Sequence, residues 1–359
     1  MLVTNEVGEL KKVGLFGPPG IESYLTQFFE PEISLFFESF DIIEGQSEFK
    51  GLEKLLESLG MEVIDLKGAY ASILPPPTLN AEKLLDGLLK KVPQSDKSVL
   101  ESLLHLDAQA YGEEKAVALN KSLSLSPKLP LGNIFFARDQ ANVVFDTCVL
   151  GNMKFDIRKP EVSVIYNALK SLGYSRFLQV SDGAFEGGDA MIIGDDIYVG
   201  NGMRTEFQGV QQIAGYFKQQ GKKVYLVKIP RMGSFNGDME IMHLDTFFMP
   251  LTEDKAIGCL QVLEECKVAD LETGSELPFL DHLVDAGYVV LDIPKKEQKN
   301  YAANMLVTKP GVVVVPSDYN LITTDTLTKN GVMVYSATLS HLTKAVGATH
   351  CMALQIEKC

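Results

Sequence analysis

The chain has 359 residues, a formal net charge of −14 and 46% hydrophobic residues, enough apolar material for a sizeable core. Its pI of about 4.9 argues against a nucleic-acid or anionic-membrane surface. The five cysteines, Cys148, Cys259, Cys266, Cys351 and Cys359, show no CxxC spacing and suggest neither a zinc site nor a disulfide framework. No run reaches the ~20 apolar residues of a spanning helix, and the opening MLVTNEVGEL has no signal-peptide pattern, so a cytoplasmic protein is expected.

Along the chain one pattern returns: an amphipathic helix, a stopping glycine, then a short apolar strand. It appears first as ESLGMEVIDL around Gly60. LPPPTLN (74–80) then breaks the pattern. Two leucine-striped stretches follow, with Leu84, Leu85, Leu88 and Leu89, then Val99, Leu100, Leu103 and Leu104. LSLSPKLP (123–130) leads back, so residues 75–128 read as a helical insertion in the first unit. The pattern resumes as KSLGYSRFLQV around Gly173, KQQGKKVYLVKI around Gly221, VDAGYVVLDI around Gly287 and TKNGVMVYSA around Gly331. Glycine suits these places because helices commonly end in a left-handed residue. Paired strand-like runs precede most of the helices, as in DAMIIGDDIYVGN (189–201) and ANMLVTKPGVVVVPS (303–317). The unit is therefore strand, strand, helix, strand. Its repetition suggests a closed array or propeller, with CMALQIEK (351–358) as a last strand beside LKKVGLF (10–16).

Unusual polar residues stand at the heads of these units: Asp139 in FFARD, Glu186 in FEGGD, His243 and Asp245 in MHLD, and Cys351 after the last unit. Each motif is weak alone, but quasi-symmetry brings equivalent positions to one axis. A cysteine nucleophile needs a lowered pKa or a nearby base, a role open to His243. Histidine with three carboxylates also suits a metal, and the surplus of carboxylates suits a cationic substrate. A planar guanidinium is gripped bidentately by carboxylates, which leaves its central carbon exposed to a thiolate.

EVGELKKV (6–13) with GPPG, then NIFFARD, FEGGD, GMRTE, MHLDT and HCM, taken in order, resemble the arginine deiminases of the guanidine-modifying superfamily. The resemblance runs from residue 6 to the end, interrupted only by the helical segment, which arginine deiminases also carry. It implies an α/β fold, the pentein: a five-bladed α/β propeller of ββαβ units, here one catalytic domain over residues 1–359. It implies hydrolysis of free L-arginine to L-citrulline and ammonia, with no metal and no organic cofactor. Cys351 would attack the guanidino carbon, and Asp139 and Asp245 would hold the guanidinium. Glu186 would share that task while shuttling protons, and His243 would protonate the leaving ammonia and activate water. Asn133 matches a ligand of the amino-acid carboxylate, as do Arg158 in FDIRKP and Arg204 in GMRTE. Asp189 would hold Arg204, orient Glu186 or contact the substrate.

The chain departs from the family pattern in SHLTKAVGATHCM (340–352), where Val346 and His350 stand in place of expected arginines. A His-Cys pair is more like the end of amidinotransferases and agmatine deiminases. Two other readings therefore stay open: an amidinotransferase passing the amidino group to an amine, and a non-catalytic protein of the same fold that binds a partner. The expected partner is a small molecule, neither nucleic acid nor membrane, and assembly as a homo-oligomer is left open. Cys359 reads as chemically incidental.

Overall fold

In the computed structural model, residues 1–316 and 319–359 are described. Strands β1 (Leu2–Val3), β2 (Leu10–Leu15) and β3 (Glu62–Asp65) open the chain. After the helical segment come β4 (Ala141–Val144), β5 (Thr147–Leu150) and β6 (Phe177–Gln179), then β7 (Ala190–Ile193), β8 (Asp196–Asn201) and β9 (Val224–Lys228). Next are β10 (Phe248–Pro250), β11 (Lys255–Gly258), β12 (Lys267–Asp270), β13 (Glu276–Pro278) and β14 (Val289–Asp292). The chain ends with β15 (Leu306–Lys309), β16 (Val312–Pro316), β17 (Met333–Ala337) and β18 (Leu354–Lys358).

These strands form five sheets among the described residues, and each contains a central strand with one antiparallel and one parallel neighbour. β4, β7, β10 and β15 run antiparallel to β5, β8, β11 and β16. The latter four then pair in parallel with β6, β9, β14 and β17 across a helix. The first sheet has the same layout, but its leading strand is the last of the chain: β18 is antiparallel to β2, which is parallel to β3. The chain is thus an α/β protein in which the repeat read from sequence recurs.

The stopping glycines have the expected conformation, with φ of 90° at Gly60, 88° at Gly173, 71° at Gly221, 91° at Gly287 and 81° at Gly331. A side chain would be strained there. The helix Lys159–Ser171 illustrates the rest of the unit. Pro160 lies in its first turn, where no amide hydrogen is needed, and Val162, Ile165, Ala168 and Leu169 are buried on one face. One element has no counterpart in the sequence reading: the hairpin β12–β13, which adds to the outer edge of β9. Its strands KVAD and ELP are short and lack the β-branched alternation that announces a strand.

Within the expected insertion lie the helices Ala81–Leu88, Lys97–Tyr111 and Glu113–Asn120. Leu84, Leu88, Leu100 and Leu103 join one core with Leu10, Val13 and Phe49. The fully buried Lys67 ties them further, bonding the Pro18 carbonyl and Asp107, each at 3.0 Å. No helix of the described residues is long and apolar enough to cross a membrane.

Candidate active site

Four of the five sheets are entered through a short polar turn, and these turns carry the site. Ala137–Gln140 precedes β4 and holds Asp139. Gly187–Asp189 precedes β7, with Glu186 before it and Asp189 at its end. Leu244–Thr246 precedes β10, flanked by His243 and containing Asp245. Thr349–Met352, a single helical turn before β18, holds Cys351, so the cysteine lies ahead of the terminal strand rather than in it.

Asp139, Glu186, His243, Asp245 and Cys351 meet at one buried place. Cys351 Sγ lies 3.8 Å from Asp245 Oδ2. His243 Nε2 is 3.1 Å from Glu186 Oε2, and its Nδ1 is 3.6 Å from Asp139 Oδ1. Asp139 Oδ1, in charge contact with the imidazole but beyond hydrogen-bond distance, and Asp245 Oδ1 are buried without a hydrogen-bond partner, as is His243 Nδ1. Unsatisfied buried acceptors are rare and costly, so their clustering here sets this place apart from the surrounding core.

The glycines of FEGGD explain themselves in this geometry. A Cβ on Gly187 would overlap the Arg138 carbonyl, and one on Gly188 would lie 2.7 Å from His243 Nδ1 and 3.1 Å from Asp139 Oδ1. The turn must be bare for Arg138, His243 and Asp139 to come this close.

Arg158 and Arg204 are brought to the same place, and both sit on the acids. Arg158 Nη1 lies 2.7 Å from Asp139 Oδ2 and 3.5 Å from Glu186 Oε2, while its Nε bonds Glu161 at 3.0 Å. Arg204 Nη1 bonds both Glu186 oxygens, at 3.2 and 2.9 Å, and its guanidinium stacks 4.8 Å from the Phe155 ring centre. Asn133 adjoins them: its carbonyl accepts from Arg158 Nη2 at 3.3 Å, and its side chain donates to the Ser34 carbonyl. Asp189 does not hold Arg204. Its Oδ1 accepts the amide of Leu244 at 3.0 Å and so fixes the peptide between His243 and Asp245.

Burial and neighbouring charges pull the titratable groups of the site in opposite directions. Burial raises the Glu186 carboxyl, but Arg204, His243 and Arg158 outweigh it and hold it well below the usual range. Burial lowers the His243 imidazole, yet Asp139 and Glu186 raise it to about 9, so it is an imidazolium at neutral pH. The Cys351 thiol is raised by burial first and then by Asp245 and Asp139. Burial lifts Asp189 to about 6 and Glu161 to about 7.

Asp139, Glu186 and His243 bring one donor atom each to within 4.8 Å of one another, a spacing a metal would accept. Two guanidinium groups already match the charge of these carboxylates, so the set reads as an ion-pair network.

Sequence reasoning missed three contributors. Glu161 receives Arg158, the Asn133 amide and Gln140. Glu6 receives His350 Nε2 at 3.0 Å and Arg138 at 3.2 Å, while His350 Nδ1 reaches Asp245 Oδ2 at 2.7 Å. Asn304 lies 3.1 Å from Cys351 Sγ. The repeat itself points to Asn304, which stands two residues before β15, at the head of the one remaining unit. Of the two departures in the last loop, His350 bridges Asp245 and Glu6. Val346 joins an apolar roof with Leu35, Met239, Met242 and Tyr301. In that roof Leu35, Tyr301 and Val346 all have positive φ, at 62°, 59° and 74°. None of the nine site residues expected from sequence is more than 2% exposed.

The family model for arginine deiminase matches residues 81–358 of this chain. The arginine deiminase of Bacillus thuringiensis subsp. konkukian is 27% identical, with 99% of this chain and 97% of the relative covered. That of Listeria innocua is 26% identical, over 99% and 98%. Among solved structures, DDAH from Pseudomonas aeruginosa complexed with citrulline shares the fold. Its TM-score is 0.61 at 14% identity, covering 97% of this chain and all of that one. So does the N-terminal domain of ArgZ, a cyanobacterial arginine dihydrolase bound to product, with a TM-score of 0.62 at 13% identity over 98% of each chain. Fold and relatives place the protein among the hydrolases that act on guanidino carbon–nitrogen bonds. Within them, the chain belongs to the arginine deiminase family.

Proposed function

We propose that the protein hydrolyses free L-arginine to L-citrulline and ammonia through a covalent intermediate on Cys351. The observation that carries this reading is the pair of buried, unpartnered aspartate oxygens, Asp139 Oδ1 and Asp245 Oδ1, beside a buried cysteine and an imidazolium. A guanidinium supplies what they lack: a planar cation with five N–H donors. Its charge also offsets the two aspartates that keep the Cys351 thiol protonated. Arginine binding therefore favours the thiolate that attacks it.

The chemistry then balances. Cys351 Sγ adds to the guanidino carbon, a terminal C–N bond breaks, and the nitrogen leaves as ammonia with the proton of His243. Water adds to the resulting thiouronium and gives a proton to His243. The C–S bond breaks as the added hydroxyl gives up its proton to solvent, where it is taken up by the released ammonia, and neutral citrulline and the thiolate are released.

Arg158 and Arg204 take the substrate carboxylate in this reading, together with Asn133. Both are paired with acids of the site, so binding exchanges one carboxylate partner for another rather than burying a bare charge. Arg204→Gln is expected to raise KM for arginine at least tenfold and to leave agmatine, which has no carboxylate, unaffected. Steady-state kinetics with both compounds check this.

The five sheets also read as blades of a closed five-bladed propeller. Support comes from β18, which completes the first sheet from the far end of the chain, and from site turns that recur at the heads of the units.

Mass spectrometry of the products from L-arginine alone tests the function. Citrulline with equimolar ammonia is expected. Ornithine with two equivalents of ammonia would replace the reading with a dihydrolase. Ornithine that forms only when an acceptor amine is present would replace it with an amidinotransferase.

A further inference from the structure

The repeat gives a polar residue to the head of every unit, and in the fifth unit that residue is Asn304. It is fully buried. Its Oδ1 accepts from the backbone amides of Ala348 at 3.0 Å and Cys351 at 3.1 Å. A backbone N–H can only donate, so the atom these two amides meet is the carbonyl oxygen, and the orientation of the side-chain amide is settled. Its Nδ2 is thereby turned to Cys351 Sγ, at 3.1 Å, and to the Asp245 carbonyl at 3.3 Å. An amide nitrogen only donates, so the sulfur must accept. A thiolate accepts far better than a thiol, because charge-assisted hydrogen bonds are roughly twice as strong as neutral ones. The carboxylate beside the sulfur acts in the opposite sense: Asp245 Oδ2, 3.8 Å away, favours the protonated thiol as its donor.

We propose that Asn304 is a catalytic residue that donates a hydrogen bond to the Cys351 sulfur, stabilising the attacking thiolate and the same thiolate when it leaves. The proposal rests on Cys351 being the nucleophile. Asn304 also has a framework part, since its own carbonyl accepts from His350 N at 3.2 Å and Thr349 Oγ1 at 2.9 Å. Those bonds are made by the main chain and survive a side-chain substitution.

The test is the rate at which iodoacetamide labels the Cys351 peptide, followed by mass spectrometry from pH 7 to pH 12, a range wide enough for a thiol raised by burial. Opening of the roof scales the whole curve, whereas the midpoint reports the thiol alone. In Asn304→Ala the midpoint is expected to rise by about one pH unit or more, a tenfold loss of thiolate at any pH below it. kcat should fall by at least as much, with KM for arginine little changed. A midpoint equal to that of the unsubstituted protein overturns the proposal, whatever happens to melting temperature. If the alanine variant does not fold, Asn304→Asp keeps the acceptor for both backbone amides and replaces the donor by a charged oxygen. It is expected to shift the midpoint further, and an unmoved midpoint overturns the proposal equally. Labelling needs no turnover, so a failure of arginine hydrolysis in the unsubstituted protein is read separately.

Discussion

At the scale of single residues the site works by setting charges against burial. Cys351→Ser keeps nearly the same volume in a fully buried place. It is expected to abolish citrulline formation while leaving the melting temperature within a few degrees, because serine under these neighbours is a far poorer nucleophile. His243 is held charged up to about 9 by Asp139 and Glu186 against its burial. Its folded pKa lies above that of the unfolded chain. The stability it contributes is therefore complete below the ordinary imidazole range and is lost as pH rises through about 9. Urea titrations between pH 6 and pH 10 should show unfolding free energy falling across that window, and His243→Asn should flatten the fall. If His243 protonates ammonia as proposed, the same variant is expected to lower kcat by 10²–10⁴-fold.

Turns at the heads of strands decide how close the reacting groups come. Gly187 and Gly188 are adjacent, but they serve different ends. A methyl on Gly187 strikes backbone, the Arg138 carbonyl, so Gly187→Ala is expected to destabilise the fold by about 3 kcal/mol or more. A methyl on Gly188 strikes the imidazole of His243. Gly188→Ala is therefore expected to leave the melting temperature nearly intact and to lower kcat by about 10²-fold, the usual consequence of misplacing a catalytic group by about 1 Å. Measuring melts and kinetics on both variants separates the two effects.

At the scale of the whole molecule, a buried charge cluster ties the residues before β2 to the last strand. Glu6, near the N-terminus, receives Arg138, His350 and Gln355, and lies 3.7 Å from Lys358 Nζ. Burial raises its carboxyl, but Arg138, Lys358 and His350 together hold it well below the usual range. Glu6→Ala would leave two buried cations short of a counter-charge and is expected to cost about 3–5 kcal/mol, seen as a drop of roughly 10 °C in melting temperature. It should also slow turnover, because His350 then holds Asp245 from one side only. Cys359 adds to this junction by exchanging two backbone hydrogen bonds with Glu9, at 2.7 and 3.2 Å.

Local signals carried most of the architecture. A glycine that must be left-handed and the 3.6-residue stripe before it are both written in adjacent residues, which is why all five helix ends were legible. The hairpin β12–β13 was not, since its strands are stabilised by pairing with β9 rather than by their own composition. The acids, His243 and Cys351 were legible as unusual polar residues at the heads of repeated units. Asn304 stood in the same register, but an asparagine carries no chemical signature until a sulfur is beside it. Glu6 lies 344 positions before His350 and Glu161 lies 28 after Asn133, and nothing local to either residue says what it meets. The sequence by itself determined the repeat, its periodic cores and the types of group available for chemistry. Only the tertiary structure decided which oxygens stay unpaired, that Arg158 and Arg204 rest on the acids, and that His350 faces Asp245 and Glu6. Hydrogen bonds and charge pairs act over about 3–4 Å of space, and distance along the chain does not constrain them.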